Sequence, residues 1–318
     1  MVDISGIESL VNRYVDCWRK YRPQYAGLYE DNDFGCETLQ VFRNGYKIEA
    51  FSHSELCHLS TLLTRSLRGQ INRDHKIFWS WCSFLAFELG DQVKLFQDGE
   101  WNEALRALVN LSLAAKTGFV VGPQALAVEE QMRKYVNFHL LTVLLDRHIL
   151  LGPLAFAVLE GTLRRKNRDY VTNDGNIHTS FSVVDSNRQT KRFSGGKLNR
   201  IDDSLRLFEQ VVTNNRGRPC SALGILRNEV LTLYPGTGDA YDLVDSWRNE
   251  LVHGKEYWQN RFPVILNLIC LLVIDEIEPS VYDGKISDID RALQWRRRVK
   301  AGFDFRAPWD IFPPDLDS

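Results

Sequence analysis

Apolar residues recur every three or four positions along most of the chain, which is the spacing that gathers them on one face of an α-helix. This pattern predicts helices over the ranges 7–20, 52–67, 76–90, 101–116, 124–145, 201–214, 221–234, 239–253 and 262–277. The last of these ranges is apolar nearly all round, so we expect that helix to be buried on every side. The chain is therefore predicted to be mainly α.

Two stretches carry strand signals instead. Residues 38–51 place Asn44 and Gly45 between alternating flanks, and this dipeptide is the strongest short-range signal for a hairpin turn. Residues 177–193 follow a turn at Asn173, Asp174 and Gly175, and they fit either a short hairpin or a mobile loop.

The helical pattern is interrupted at Gly152 and Pro153, and we place a domain boundary near residues 146–153. This predicts an N-terminal, mostly helical domain with a β-hairpin at 1–147 and a helical bundle at 148–278. A basic helix and an extended, proline-containing tail are predicted at 279–318.

The stretch 241–254 carries the candidate chemistry. Its apolar stripe consists of Leu243, Val244, Trp247 and Leu251. Arg248, Asn249 and His253 lie off that stripe, and Gly254 gives a signal for the end of the helix. Asp239 suits the N-cap. Because Asn249 and His253 are four residues apart, they lie one above the other, and the amide is expected to orient the imidazole.

Arg248 and His253 have the chemistry that cleaves RNA through its own 2′-hydroxyl. Histidine titrates closest to neutral pH and moves protons, while a guanidinium stabilises the charge that develops on phosphorus. The two residues are five positions apart, so we expect a partner subunit to supply the second group more easily than one helix does. The alternative is a helix-capping histidine beside a solvated arginine, because the spacing alone is a weak motif.

The string from Arg248 to His253 resembles the R-x(4–6)-H signature of the HEPN superfamily, with a polar residue after the arginine and glycine after the histidine. Residues 154–165 resemble the first HEPN helix, whose E-x3-(K/R) pattern matches Glu160 and Arg164. The resemblance covers roughly residues 148–278 and is closest to HEPN domains of antiphage and toxin proteins. It implies a helical bundle, a side-by-side dimer with two composite sites and, in many members, endoribonuclease activity.

Under this resemblance His253 transfers the proton, Arg248 stabilises the phosphorane, Asn249 holds the imidazole, and Glu160 and Arg164 support the site. No metal or other cofactor is required, because the ribose hydroxyl is the nucleophile. The alternative function is a catalytically silent HEPN dimer that binds RNA or a nucleotide, or acts as a sensor. A weaker third interpretation is a structural helical protein with a chance motif.

Local basic runs supply candidate RNA contacts, since the chain as a whole has a net charge of −2 and no general attraction for nucleic acid. The run Arg165, Lys166 and Arg168 fits RNA phosphates, but also fits a solvated helix end. A second basic group in the tail consists of Arg291, Arg296, Arg297, Arg298 and Lys300 around Trp295. It fits a surface helix equally well.

Composition is that of an ordinary globular protein, with 44% hydrophobic and 25% charged residues. The six cysteines are scattered, which predicts free thiols in a cytoplasmic protein. A metal site at His53, Cys57 and His58 is rejected, because a fourth ligand at suitable spacing is missing. We expect no membrane association, and we expect RNA as the substrate, with a phage component or an antitoxin as a possible regulator sensed by residues 1–147.

Overall fold

The computed structural model describes residues 2–25, 41–42, 45–67, 73–114, 147–217, 220–235, 238–253 and 261–298. Its helices before the site region are α1 (Ile4–Tyr25), α2 (His53–Ser66), α3 (Arg73–Glu88), α4 (Gly99–Ala114) and α5 (Arg147–Lys166). After them come α6, which begins as Ile201–Leu207, α7 (Ser221–Leu233), α8 (Ala240–Val252), α9 (Phe262–Glu276) and α10 (Pro279–Arg298). Short 3-10 helices lie at Ile48–Ala50 and Lys94–Gln97.

The mainly helical prediction is confirmed, and the helices agree with the predicted ranges to within a few residues. The start of α2 shows why the sequence was informative there. Ser52 accepts a hydrogen bond from the Glu55 backbone N–H at 3.4 Å, and the Glu55 carboxylate accepts one from Ser52 N–H at 2.7 Å. This reciprocal capping box satisfies two backbone donors that a helix start leaves unpaired. The predicted helix 124–145 lies outside the described residues.

The predicted hairpin at 38–51 is wrong in the part that the structure describes. Gly45 takes the positive φ of 88° that a turn uses, but Ile48–Ala50 forms a 3-10 helix instead of a strand. Ile48 and Phe51 are both buried, so their three-residue spacing serves a helical turn that packs into the core. The alternating apolar residues of this stretch therefore reflect burial in the core and do not indicate a strand.

The strands are β1 (Phe181–Val184) and β2 (Thr190–Phe193), which pair as an antiparallel hairpin. This resolves the two interpretations of residues 177–193 in favour of a hairpin. Phe181 and Phe193 lie opposite each other in the register, and their rings stack with centroids 4.8 Å apart. Stacked aromatic pairs of this kind stabilise two-stranded sheets.

Helix α9 lies at the centre of the molecule. All of its residues from Phe262 to Asp275 are buried, as the all-round apolar pattern predicts. It packs against α2, α3, α5 and α7. Its one internal amide, Asn267, accepts a hydrogen bond from Trp79 Nε1 at 2.5 Å and donates to Thr64 Oγ1 at 3.2 Å, so the polar group is satisfied within the core.

The predicted boundary near residues 146–153 does not separate two cores within the described residues. Helix α5 packs against both α4 and α9, and α2 packs against both α7 and α9. Buried residues from both sides of the boundary therefore belong to one hydrophobic cluster.

Helix α6 changes its hydrogen-bond pattern midway. After Ile201–Leu207 it continues as a π-helical segment, Phe208–Val212, and ends as Thr213–Asn215. A π segment adds a residue to a turn and changes the direction in which side chains point. Gln210 within it reaches the edge of β1, where its amide bonds both Val184 N–H at 2.7 Å and Val184 C=O at 2.9 Å.

The cysteine prediction is wrong for Cys17, which is disulfide-bonded. Cys57, Cys82, Cys220 and Cys270 are free thiols. Among the described residues, no helix has the length and apolarity needed to cross a membrane.

Candidate functional site

Helix α8 is fixed at its start by Asp239, as predicted. The Asp239 carboxylate accepts hydrogen bonds from the backbone N–H groups of Tyr241 at 2.7 Å and Asp242 at 3.4 Å. Val244 and Trp247 of the apolar stripe are buried. These contacts set the rotation of the helix and thereby decide which way its polar residues face.

His253 caps the other end of α8. Its backbone N–H donates to the Asn249 carbonyl at 3.2 Å, while its side chain is exposed. The predicted position of this histidine at the helix end is therefore confirmed. Gly254 lies outside the described residues.

An open groove of about 400 Å³ runs along the exposed side of α8. Its lining residues are Arg200, Asp242, Asp245, Ser246, Asn249, Glu250 and His253. The groove thus places the imidazole of His253 beside hydroxyl, amide and carboxylate groups, which can form hydrogen bonds with a ligand.

Asp245 joins the groove to the start of α6. Its carboxylate accepts hydrogen bonds from Ile201 N–H at 3.0 Å and Asn249 Nδ2 at 3.3 Å, and lies 3.5 Å from Arg200 Nη2. The amide of Asn249 is therefore held by Asp245. The sequence predicted that this amide orients His253, but in the described part of the chain the amide donates to Asp245 and forms no hydrogen bond with His253, although both residues line the groove.

Asp242 is held by a buried cation. Arg206 Nη2 donates to its Oδ1 at 2.8 Å, and Arg206 Nη1 donates to Asp202 at 2.7 Å. Burial pushes the pKa of Asp242 up, but hydrogen bonds from Ser186 and Arg206 outweigh it and lower that pKa. This groove carboxylate is therefore kept ionised and already paired.

Arg248 faces away from the groove. Its Nε donates to Glu160 Oε1 on α5, and the other oxygen of Glu160 lies 3.4 Å from Arg164 Nη2. Arg164 also donates to the Asn173 carbonyl at 3.3 Å. The side chains of Arg248 and Glu160 are 30% and 22% exposed, so this ion pair is accessible to solvent. The structure thus brings together Arg248, Glu160 and Arg164, the three charged residues that carry the resemblance in both helices.

The separation of Arg248 from His253 follows from helix geometry. Five residues correspond to about 140° round an α-helix, so one residue faces α5 while the other reaches the groove. Within a single copy of the chain, the Arg248 guanidinium and the His253 imidazole therefore do not line the same groove. The sequence led us to expect this separation, with a partner subunit supplying the second group.

The predicted RNA contact at Lys166 is wrong. Its side chain is 0% exposed, and its Nζ donates to Asp275 at 2.9 Å, to Glu276 at 3.1 Å and to the Leu272 carbonyl at 3.0 Å. The basic run was interpreted as a surface, but this lysine points into the core to pair with the end of α9.

The neighbouring cations are partly engaged. Arg165 Nε donates to Asp98 at 2.7 Å, and this bond is the main cause of the lowered pKa of Asp98. The Arg168 carbonyl lies 3.0 Å from Nε2 of His178, which lies in a loop. In the tail, Arg291 is exposed and lies 3.2 Å from Asp288. The predicted contacts at Arg296, Arg297, Arg298, Lys300 and Trp295 concern side chains outside the described part.

Five of the seven groove residues were not among the site residues predicted from the sequence: Arg200, Asp242, Asp245, Ser246 and Glu250. Asp245 is four residues before Asn249, so helical spacing offered a signal for it. Arg200 comes from the loop before α6, and no local pattern connects it with α8.

At the rejected metal site, His53 Nε2 lies 2.8 Å from the Ile274 carbonyl. In the described part of the chain, no group of three or more His, Cys, Asp or Glu side chains could hold a metal ion.

Comparison of the chain with protein-family models, with curated protein sequences and with solved structures finds no match.

Proposed function

We propose that the chain is a metal-independent endoribonuclease of the HEPN type, acting in antiphage defence or in a toxin system. The observation that carries the proposal is the position of His253. An exposed imidazole stands at the end of a firmly anchored helix, on an open groove, with a solvent-accessible arginine about 140° away round the same helix.

In this proposal His253 accepts the proton of a ribose 2′-hydroxyl, whose oxygen attacks the adjacent phosphorus. The bond to the 5′-oxygen breaks, and that oxygen takes a proton from the imidazolium. The products end in a 2′,3′-cyclic phosphate and a 5′-hydroxyl. Arg248 stabilises the additional charge on the phosphorane oxygens. Asn249 lines the groove beside His253, and its amide is bonded to Asp245.

To reach the phosphate, the Arg248 guanidinium leaves the Glu160 carboxylate and pairs with the phosphate instead. In the resting chain its guanidinium is neutralised by Glu160, which also pairs with Arg164. When Arg248 turns toward a phosphate, Arg164 keeps the Glu160 carboxylate paired. Since one copy directs Arg248 and His253 to different sides of α8, we propose that a homodimer completes the site, with His253 from one copy and Arg248 from the other.

The test is cleavage of total RNA by the purified chain, in wild-type form and with His253→Ala or Arg248→Ala. We expect wild type to cut RNA in the presence of EDTA and to leave cyclic phosphate ends, and we expect both variants to lose activity. General acid–base groups contribute roughly 10²- to 10⁴-fold to rates. Undiminished cutting by His253→Ala, or cutting that stops in EDTA, would refute the proposal.

A second candidate function is a catalytically silent dimer that binds RNA or a nucleotide. It is favoured by the Glu160–Arg248 pair, which neutralises the guanidinium that the nuclease would need. RNA retention without cleavage, in a preparation whose retention is weakened by Arg248→Ala, would support this function over the nuclease.

The sensing role of residues 1–147 remains part of the proposal. Because α2 and α3 cover α9, deleting this part would remove core packing, so the test requires the full chain. We expect growth inhibition by the expressed chain to increase on phage infection. Equal inhibition in infected and uninfected cells would argue against a phage-responsive restraint.

A further inference from the structure

The segment between α5 and α6 concentrates positive charge. Residues 167–200 contain six Lys and Arg side chains and three Asp side chains, a net charge of +3 in a chain whose total is −2. This segment holds the β1–β2 hairpin. A local basic surface attracts polyanions even when the whole protein does not.

Three of these cations are available for a ligand. Arg188, Arg192 and Lys197 are exposed, and in the part of the chain that the structure describes none of them is paired with a carboxylate. Arg192 lies opposite Ser182, and both are exposed on the outer face of the hairpin. We call Arg188, Arg192 and Lys197 the basic hairpin surface.

The hairpin that carries this surface is held firmly. Lys191, on the inner face, lies 3.3 Å from Asp203 Oδ1 of α6. The Gln210 amide bonds both backbone groups of Val184, which closes the free edge of β1. A rigid support reduces the entropy lost when a ligand binds.

The hairpin turn places an arginine where the backbone favours glycine. Arg188 has a φ of 61°, a conformation that costs a side-chain-bearing residue about 1–2 kcal/mol. The turn is stabilised by the Asp185 carboxylate, which accepts hydrogen bonds from the backbone N–H groups of Asn187 and Gln189, both at 2.9 Å. A strained arginine at an exposed turn suggests that its guanidinium serves a ligand more than the fold.

The turn adjoins the groove. Ser186 hydrogen-bonds with the Asp242 carboxylate, which lines the groove. At the other end of the segment, Arg200 lines the same groove as His253 and is 54% exposed. The segment that carries the hairpin therefore contacts the groove lining at its turn and again at Arg200.

We propose that the basic hairpin surface binds the phosphate backbone of single-stranded RNA and guides the strand into the groove of His253. The proposal rests on the proposed function for the identity of the strand. It moves the RNA contact from the predicted run of Arg165, Lys166 and Arg168 to the hairpin.

The test measures binding separately from cleavage. Fluorescence anisotropy is recorded with a labelled RNA of about 20 nucleotides whose 2′-O-methyl groups prevent attack by the ribose. The triple variant Arg188→Gly, Arg192→Gln and Lys197→Gln is compared with Arg13→Gln, Lys94→Gln and Arg106→Gln, which removes three exposed cations from other elements. Both variants lose the same net charge.

We expect the hairpin variant to bind at least tenfold more weakly in about 50 mM salt, and to lower the slope of log affinity against log salt by about 2. The control variant should bind as wild type does. Arg188→Gly alone should weaken binding without lowering the melting temperature, because glycine relieves the positive φ.

Equal weakening by both triple variants, or none by the hairpin variant, would overturn the proposal. It would also be overturned if the hairpin variant lost binding to phosphatidylserine vesicles while keeping RNA affinity. If wild type cuts no RNA but the hairpin variant still loses binding, the nuclease proposal fails and this one stands.

Discussion

Helices α9 and α8 have similar lengths but differ in how much of their surface is buried. Every residue of α9 from Phe262 to Asp275 is buried, and its internal amide is bonded to Trp79 and Thr64. Helix α8 buries one stripe and leaves Asn249 and His253 exposed along a groove. Polar groups in and around α9 therefore maintain the fold, whereas the polar groups on the open side of α8 are available for chemistry.

The charged residues show the same difference between buried and accessible groups. Lys166 is enclosed by the end of α9, where its Nζ also lies 4.7 Å from the centroid of the Phe208 ring. Glu276 is buried, which raises its pKa, but the charges of Lys166 and Arg216 outweigh this and lower the pKa. Arg248, by contrast, keeps an accessible guanidinium that can exchange its partner. The two cations therefore differ in burial, because Lys166 is enclosed whereas Arg248 is accessible to solvent.

The largest expected effect on stability comes from Lys166→Met. The substitution leaves Asp275 and Glu276 without their cation, and removing one partner of a buried ion pair costs about 3–5 kcal/mol. Unfolding by urea, followed by circular dichroism, measures the loss. The matched control is Lys285→Met, whose side chain is 45% exposed and which should change stability by less than about 0.5 kcal/mol. Similar losses in both variants would contradict the structural role of Lys166.

A second prediction concerns the loss of folding stability at acidic pH. Burial lowers the pKa of His75 to about 4 from 6.5, against a smaller opposite effect of the Leu63 carbonyl. The folded chain keeps this histidine neutral, while the unfolded chain protonates it below pH 6.5. Its contribution to stability is therefore complete above pH 6.5 and is lost as the pH falls to about 4, by about 3 kcal/mol. Urea midpoints across this range measure it.

The control for this prediction is His75→Gln, which cannot titrate. This variant should show a smaller decline in stability between pH 6.5 and 4 than wild type does. Parallel declines in the two proteins would show that other groups cause the acid sensitivity.

Asn267→Leu should lower the free energy of unfolding by less than Lys166→Met does. It leaves the Trp79 N–H unpaired in the core, and an unsatisfied buried donor costs about 1–3 kcal/mol. A double variant with Trp79→Phe removes that donor as well, so the loss in the double variant should be smaller than the sum of the two single losses. Fully additive losses would show that the hydrogen bond contributes nothing.

The smallest expected effect on stability is that of His253→Ala. The side chain is exposed at the end of α8, so the free energy of unfolding should change by less than about 0.5 kcal/mol. A loss of several kcal/mol would mean that this histidine is a structural cap, which is the alternative that the sequence left open.

The regular elements were predictable because burial imposes a period on the sequence. The stripe of α8, the capping box of α2 and the apolar α9 are local patterns, and each identified its helix. The 3-10 helix at Ile48–Ala50 was mistaken for a strand, since alternating residues over a few positions fit both. The bounds of α6 were found, but the π segment that aims Gln210 at β1 has no sequence signal.

The site was only partly predictable, because the direction of a side chain depends on distant contacts. The sequence located Arg248 and His253 on one helix, but the ion pair that fixes Arg248 involves Glu160, 88 residues away. Lys166 was assigned to the surface because three adjacent basic residues resemble a solvated helix end. Its partners lie on α9, more than 100 residues later.

The central claim is that α8 forms a complete site only when two copies supply opposite sides of it. The direct measurement mixes His253→Ala with Arg248→Ala, after unfolding and refolding together to exchange subunits, and follows RNA cleavage. We predict that each variant alone is inactive and that the equal mixture recovers about a quarter of wild-type activity, since half of the dimers carry one intact site. A mixture as inactive as the separate variants, beside an active wild type refolded in the same way, would contradict the claim.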